Sequence, residues 1–134
     1  MADKLPTQEE ARREWIDALR SGKYPQGKNF LHVQNRWCCL GVACDLFAAR
    51  LGIKRRMVGP TEIFDEGAFE EIELLPRPIV RLLGLVDNQG SHHRDGVDSH
   101  TLISLNDDGL SFPEIADALE TGDYWIENKG KNNG

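Results

Sequence analysis

The sequence predicts a single α+β domain built around a buried central helix, and three observations carry that prediction. Residues 36–51, RWCCLGVACDLFAARL, place Leu40, Cys44, Phe47 and Leu51 at i, i+4, i+7 and i+11, the spacing of one helical face. The thirteen residues 37–49 hold one charge, Asp45, in a chain that is 28% charged, so this segment belongs at the centre of the core. Capping boxes at Thr7-Gln8-Glu9-Glu10 and Ser111-Phe112-Pro113-Glu114 mark further helices near the two ends. Short runs at 30–33 and 36–38, around Gln34-Asn35, read as a hairpin, and 53–58 reads as another strand.

The elements follow in order. Ala11, Trp15 and Leu19, with Ile16 and Ala18, form the apolar stripe of the first helix, closed by Ser21-Gly22. Lys23-Tyr24-Pro25-Gln26-Gly27 is a turn. In the central helix, Gly41 costs roughly 1 kcal/mol against Ala and is tolerated where another backbone packs closely. Gly52 is its left-handed cap. The strand at 53–58 carries a basic outer face, Lys54-Arg55-Arg56, and Gly59-Pro60 breaks it. Residues 61–74 hold six acids and read as a mobile or partly extended connection. Pro76 opens a short helix with Ile79, Val80, Leu82 and Leu83 inward and Gly84 as cap. Residues 87–98 form a polar loop in which only Val97 is a core residue, and Asp98 caps a helix carrying Leu102, Ile103 and Leu105. Ile115, Ala116 and Leu119 are the buried face of the last helix, after which Tyr124-Trp125-Ile126 packs once more. Residues 1–6 and 129–134 are expected to fray.

At 134 residues the chain suits one domain that buries a core without metal or disulfide staples. No run of eighteen apolar residues offers a membrane span, and the charged N-terminus lacks the apolar centre of a signal peptide. The expected location is therefore a reducing cytoplasm, and the three cysteines suit reduced thiols better than a disulfide framework. Residues 1–60 hold eleven Lys/Arg against six Asp/Glu, while 61–134 hold five against sixteen. Such asymmetry fits either a polar partner surface or attraction between the two halves of the fold.

Four blocks carry a family resemblance: WIDALRSGKYPQGKNFL, RWCCLGVACDL, LP with LLGL, and LISLNDDGLSFPEIADALE. Together they resemble small proteins encoded by tailed bacteriophages, whose pattern is a tryptophan helix ending in RSG-x-Y-x-QG, then CCLGVLCDL, then LNDxGxSFxEIAD. The match runs over about residues 15–120, and Ala43 stands where the pattern usually has Leu. A looser similarity links Gln26-Gly27, Cys38, Gly41 and Asn106-Asp107 to a bacterial domain family of unknown function. The resemblance implies a phage accessory protein in a host cytoplasm and no particular chemistry.

Three chemistries compete on the residues. A cysteine hydrolase would use Cys38 or Cys39 at the start of the central helix, where amides and dipole lower a thiol pKa. His100 would be its base, Asn106 or Asp107 the orienter and Gln26 an oxyanion donor, the chain order of papain-like proteases. The local motif around a papain cysteine is absent, and buried cysteines also serve as small hydrophobes. Zinc is disfavoured because Cys38 and Cys39 are adjacent and no C-x2-C pair accompanies His92, His93 and His100. Residues 87–98 lack EF-hand spacing. The block LISLNDDGLSFPEIADALE resembles the first helix pair of a helix-turn-helix, but the chain then continues TGDYWIENKGKNNG, without a basic recognition helix.

The favoured expectation is binding without catalysis or cofactor, to a host protein or a small polar ligand. Gln26, Cys38, Asn106 and Asp107 are the candidate ligand-binding residues, with Trp37 and Tyr24 as apolar walls. The competing reading of the same residues is turn and cap duty.

Overall fold

The computed structural model describes residues 5–65, 70–91, 101–122 and 124–125. Helix α1 (Gln8–Arg20) begins at Thr7, whose Oγ1 accepts from Glu10 N at 3.1 Å while Glu10 Oε1 accepts from Thr7 N at 2.9 Å. Its buried stripe is Ala11, Trp15, Ile16 and Leu19. Trp15 Nε1 donates 3.0 Å to the Cys39 carbonyl, which ties α1 to the start of the central helix.

Strands β1 (His32–Val33) and β2 (Arg36–Trp37) form the expected hairpin. Gln34 and Asn35 both have positive φ, 53° and 62°, as a two-residue type I′ turn requires. Helix α2 (Cys39–Phe47) follows at once, capped by Cys38, and only Asp45 and Leu46 escape full burial. Gly41 is there because the backbone of Leu31 lies against it: a Cβ at that position would overlap the Leu31 carbonyl oxygen. The same oxygen accepts from Cys38 N at 3.1 Å. A 3-10 turn (Ala49–Leu51) and Gly52 at φ 75° end the segment.

Strands β3 (Lys54–Val58) and β4 (Thr61–Asp65) make a second hairpin through Gly59-Pro60. With β5 (Glu70–Glu71) they complete an antiparallel sheet of order β2-β1-β4-β3, in which β5 also pairs with β4. The acidic stretch therefore supplies β4, the strand to which β1, β3 and β5 pair, which is the extended half of what the sequence led us to expect. Glu62 and Phe64 alternate inward on β4 and are both buried. The basic outer face of β3 is also corrected: Lys54 and Arg56 point out, but Arg55 pairs across with Phe64 and turns inward. Three consecutive residues of a strand cannot share a face.

Helices α3 (Arg77–Leu83), α4 (Leu102–Asp107) and α5 (Phe112–Thr121) pack with α1 around α2. Gly84 caps α3 at φ 74°, and Ser111 caps α5 with Glu114 returning the bond. Thr101, not Asp98, caps α4, because its Oγ1 accepts from Ser104 N at 2.9 Å. Asp98, Val97, Ile126 and the chain ends 1–4 and 129–134 lie outside the described residues. Tyr124 is buried, and Trp125 bridges to Leu85.

Candidate functional site

The polar residues of the sequence blocks meet at one place, where the turn after α1, the start of α2 and the end of α4 come together. Gln26 Nε2 donates 2.9 Å to Asn106 Oδ1 and 2.7 Å to the Leu110 carbonyl. Its Oε1 accepts from Phe112 N at 3.2 Å. Asn106, only 1% exposed, also accepts from Cys39 N at 3.2 Å and donates from Nδ2 to the Gly27 carbonyl at 2.8 Å. Asp107 Oδ1 accepts from Asn29 N at 3.0 Å. Each of these groups is bonded to another member or to backbone, so the cluster laces the end of α4 to two segments 67 to 80 residues earlier in the sequence.

Local geometry makes the lacing possible. A parallel bridge sets Gln26 beside Trp37, with Trp37 N donating 2.8 Å to Pro25 O and Gly27 N donating 2.7 Å to Trp37 O. A Cβ on Gly27 would come within 2.7 Å of Arg36 Cβ, so glycine lets the turn lie flat on β2. Trp37 is buried beneath this turn, and Tyr24 meets its ring edge-on at a centroid distance of 5.5 Å.

The three thiols lie on α2 and at its cap. Cys38 is 5% exposed, and Cys39 and Cys44 are fully buried. Cys38 Sγ accepts from Gly41 N at 3.4 Å, and Cys39 Sγ donates to Leu102 O at 3.6 Å. Burial pushes Cys38 up to about 11 and the other two well above the ordinary thiol value. The amides of the helix start do pull Cys38 down, as the sequence suggests, but desolvation outweighs them. His100, the candidate base, lies outside the described residues.

Residues 7–123, from the α1 cap past the end of α5 and including the laced cluster, match the model of a domain of unknown function, DUF8296. The chain belongs to the DUF8296 family. No curated protein and no solved structure matches it.

The DUF8296 domain holds a second polar chain that the sequence reading missed. Tyr24 Oη donates 2.6 Å to Asp45 Oδ2, and Asp45 Oδ1 accepts from Arg55 at 2.9 Å. Arg55 Nε donates 2.7 Å to Glu62 Oε2, and Glu62 Oε1 lies 2.7 Å from His32 Nδ1. The His32 ring stacks on Trp37 at 3.5 Å, almost parallel. An ionised carboxylate only accepts, so Nδ1 carries the proton in this pair. His32 Nε2 is buried and has no hydrogen-bond partner among the described residues. Burial by itself would raise the Glu62 carboxyl, but the bonds from Arg55 and His32 outweigh it and hold the carboxyl below the ordinary value. Tyr24 is raised, by burial first and then by its bond to Asp45. The legible signal was strand alternation: in an antiparallel hairpin around Gly59-Pro60, inward positions on β3 and β4 bring Arg55 within reach of Glu62.

A groove of about 990 Å³ runs between α1 and α5, lined by charged side chains with Ile16, Leu119 and Trp125. None of Gln26, Cys38, Asn106 or Asp107 lines it. Arg12 in its wall is engaged, with Nε donating 2.7 Å to Leu83 O and the guanidinium 4.2 Å over Trp125.

Proposed function

We propose that the protein is a phage-type accessory protein that binds a host protein and carries out no catalysis. The burial of all three thiols, with their protons held more tightly than in a free cysteine, supports binding over a cysteine hydrolase. A small polar ligand at Gln26, Asn106 and Asp107 would have to displace bonds that these groups already make to one another and to backbone. The exposed chemistry lies on the β3–β4 hairpin. There Met57 and Val58 are 54% and 53% exposed beside exposed Lys54 and Arg56. Large apolar side chains rimmed by charge fit a protein surface.

The test is capture from host-cell extract with the tagged chain, followed by calorimetric titration of each retained polypeptide after purification. The expected result is saturable binding of a host polypeptide that Cys38→Ala leaves unchanged. Ester or peptide hydrolysis abolished by a folded Cys38→Ala variant overturns the reading, as does the absence of any saturable host ligand.

A further inference from the structure

We propose that the groove between α1 and α5 binds a basic amphipathic helix of a partner protein. The groove shares no residue with the β3–β4 hairpin that carries the reading above, so either can fail alone. Two neighbouring helices, with Ile16, Leu119 and Trp125 between them, form a surface on which a third helix lays its apolar face. The volume of about 990 Å³ lies at the top of the range for small-molecule clefts, which suits a row of side chains better than one small ligand. Trp125 is held ready for such a contact. Its backbone bridges to Leu85, the Arg12 guanidinium covers its ring at 4.2 Å, and Trp15 meets it edge-on at 6.3 Å. It is still partly exposed, so docking on it would order little that is not already ordered.

The charges along the groove set the chemistry of the occupant. An acidic segment would have to take Arg12 from the Leu83 carbonyl at 2.7 Å or Arg13 from Glu120 at 3.0 Å. Three of the carboxylates are likewise engaged: Glu10 by the Thr7 amide, Glu14 by Arg50, and Glu120 by Arg13 and Arg20. Two are left over. Glu9 has Arg12 as a neighbouring charge and no hydrogen-bonded partner among the described residues. Asp17 has only a 3.9 Å contact with Arg13, both side chains being more than half exposed. A carboxylate in the last turn of α1 opposes the helix dipole, and a cation four residues before an acid is the weaker order of such a pair. Helix stability therefore does not account for Asp17. Glu9 and Asp17 stand eight residues apart on one helix, about 12 Å along its axis. A helix lying along α1 answers both with two cations seven or eight residues apart, and the apolar residues between them rest on Trp125.

The probe is a fluorescein-labelled, alanine-based helical peptide with two lysines eight residues apart and leucines on the same face between them. It is titrated by anisotropy against the full chain at low salt. The expected result is saturable binding that weakens as salt rises. The double variant Glu9→Gln with Asp17→Asn should weaken it about tenfold, the order that two exposed ion pairs supply. The same peptide with glutamate in place of lysine should not bind. In the wild-type complex the indole N–H resonance of Trp125, assigned with Trp125→Phe, should shift, while those of Trp15 and Trp37 stay in place. Equal binding by the double variant, or equal binding of the glutamate peptide, overturns the proposal. So does a shift at the Met57 and Val58 amides in place of Trp125. Displacement of the probe by a lower concentration of a peptide of residues 126–134, IENKGKNNG, overturns the assignment to a partner, as does a dimer in sedimentation that the double variant dissolves.

Discussion

Replacing Asn106 by Ala should destabilise the protein by about 3 kcal/mol, and the structure fixes where that number comes from. Asn106 is 1% exposed and serves Gln26, Cys39 and Gly27. Truncation leaves Gln26 Nε2 with the Leu110 carbonyl, so that donor is not orphaned. The Cys39 N–H and the Gly27 carbonyl lose their partner, and each buried unsatisfied group costs about 1–3 kcal/mol. Urea unfolding followed by tryptophan fluorescence should show a lower midpoint with an unchanged slope. Asn106→Asp gives a sharper version. The substituted carboxyl keeps the acceptor that Gln26 and Cys39 use but, when ionised, points an oxygen at the Gly27 carbonyl with Asp107 beside it. Only the protonated form can donate there, so the folded state holds that proton above the unfolded value of about 3.9. The stability gap to wild type should therefore widen as pH rises above about 4, by up to ~1.4 kcal/mol per pH unit, until the folded value is passed. A gap that stays flat between pH 4 and 7, or an Asn106→Ala cost below about 1 kcal/mol, would refute the lacing argument.

Gly41→Ala should cost ~3 kcal/mol, the upper end of ordinary overpacking, since the Leu31 backbone must move; a thermal midpoint near wild type would show that it yields freely. Glu62→Gln should cost about 3 kcal/mol near neutral pH by leaving Arg55 and His32 without their carboxylate. Because folding lowers the Glu62 carboxyl, its contribution is full above the unfolded value of about 4.3 and fades as pH falls through the lower folded value. Stability curves of the two proteins should therefore converge in acid, and parallel curves would count against the pairing. Cys38, Cys39 and Cys44 should react with a thiol reagent in the native protein only as fast as the chain opens, so labelling should track denaturant. Rapid labelling of Cys38 at neutral pH would contradict a thiol pushed up to about 11.

The sequence by itself determined the elements whose causes are local. Thr7 and Ser111 cap α1 and α5 because a hydroxyl three residues before a glutamate needs no tertiary help. Helix α2 was legible because its apolar residues cover most of a cylinder, and Gly52 and Gly84 end their helices at positive φ. The convergence of Gln26, Asn106 and Asp107 could be raised as a possibility, since turns and helix ends present polar groups, but their spacing in sequence carries no sign of who bonds to whom. Tertiary structure alone decided what those groups do, because saturation depends on a Leu110 carbonyl and a Cys39 amide brought in by other segments. It also decided the thiols: a helix start lowers a cysteine pKa and burial raises it, and the winner is set by how deeply the rest of the chain covers Cys38. The Tyr24–Asp45–Arg55–Glu62–His32 chain stayed hidden for the same reason. Its members come from the turn after α1, from α2 and from three strands, and charges that read as a solvated surface become partners only once the sheet folds over α2.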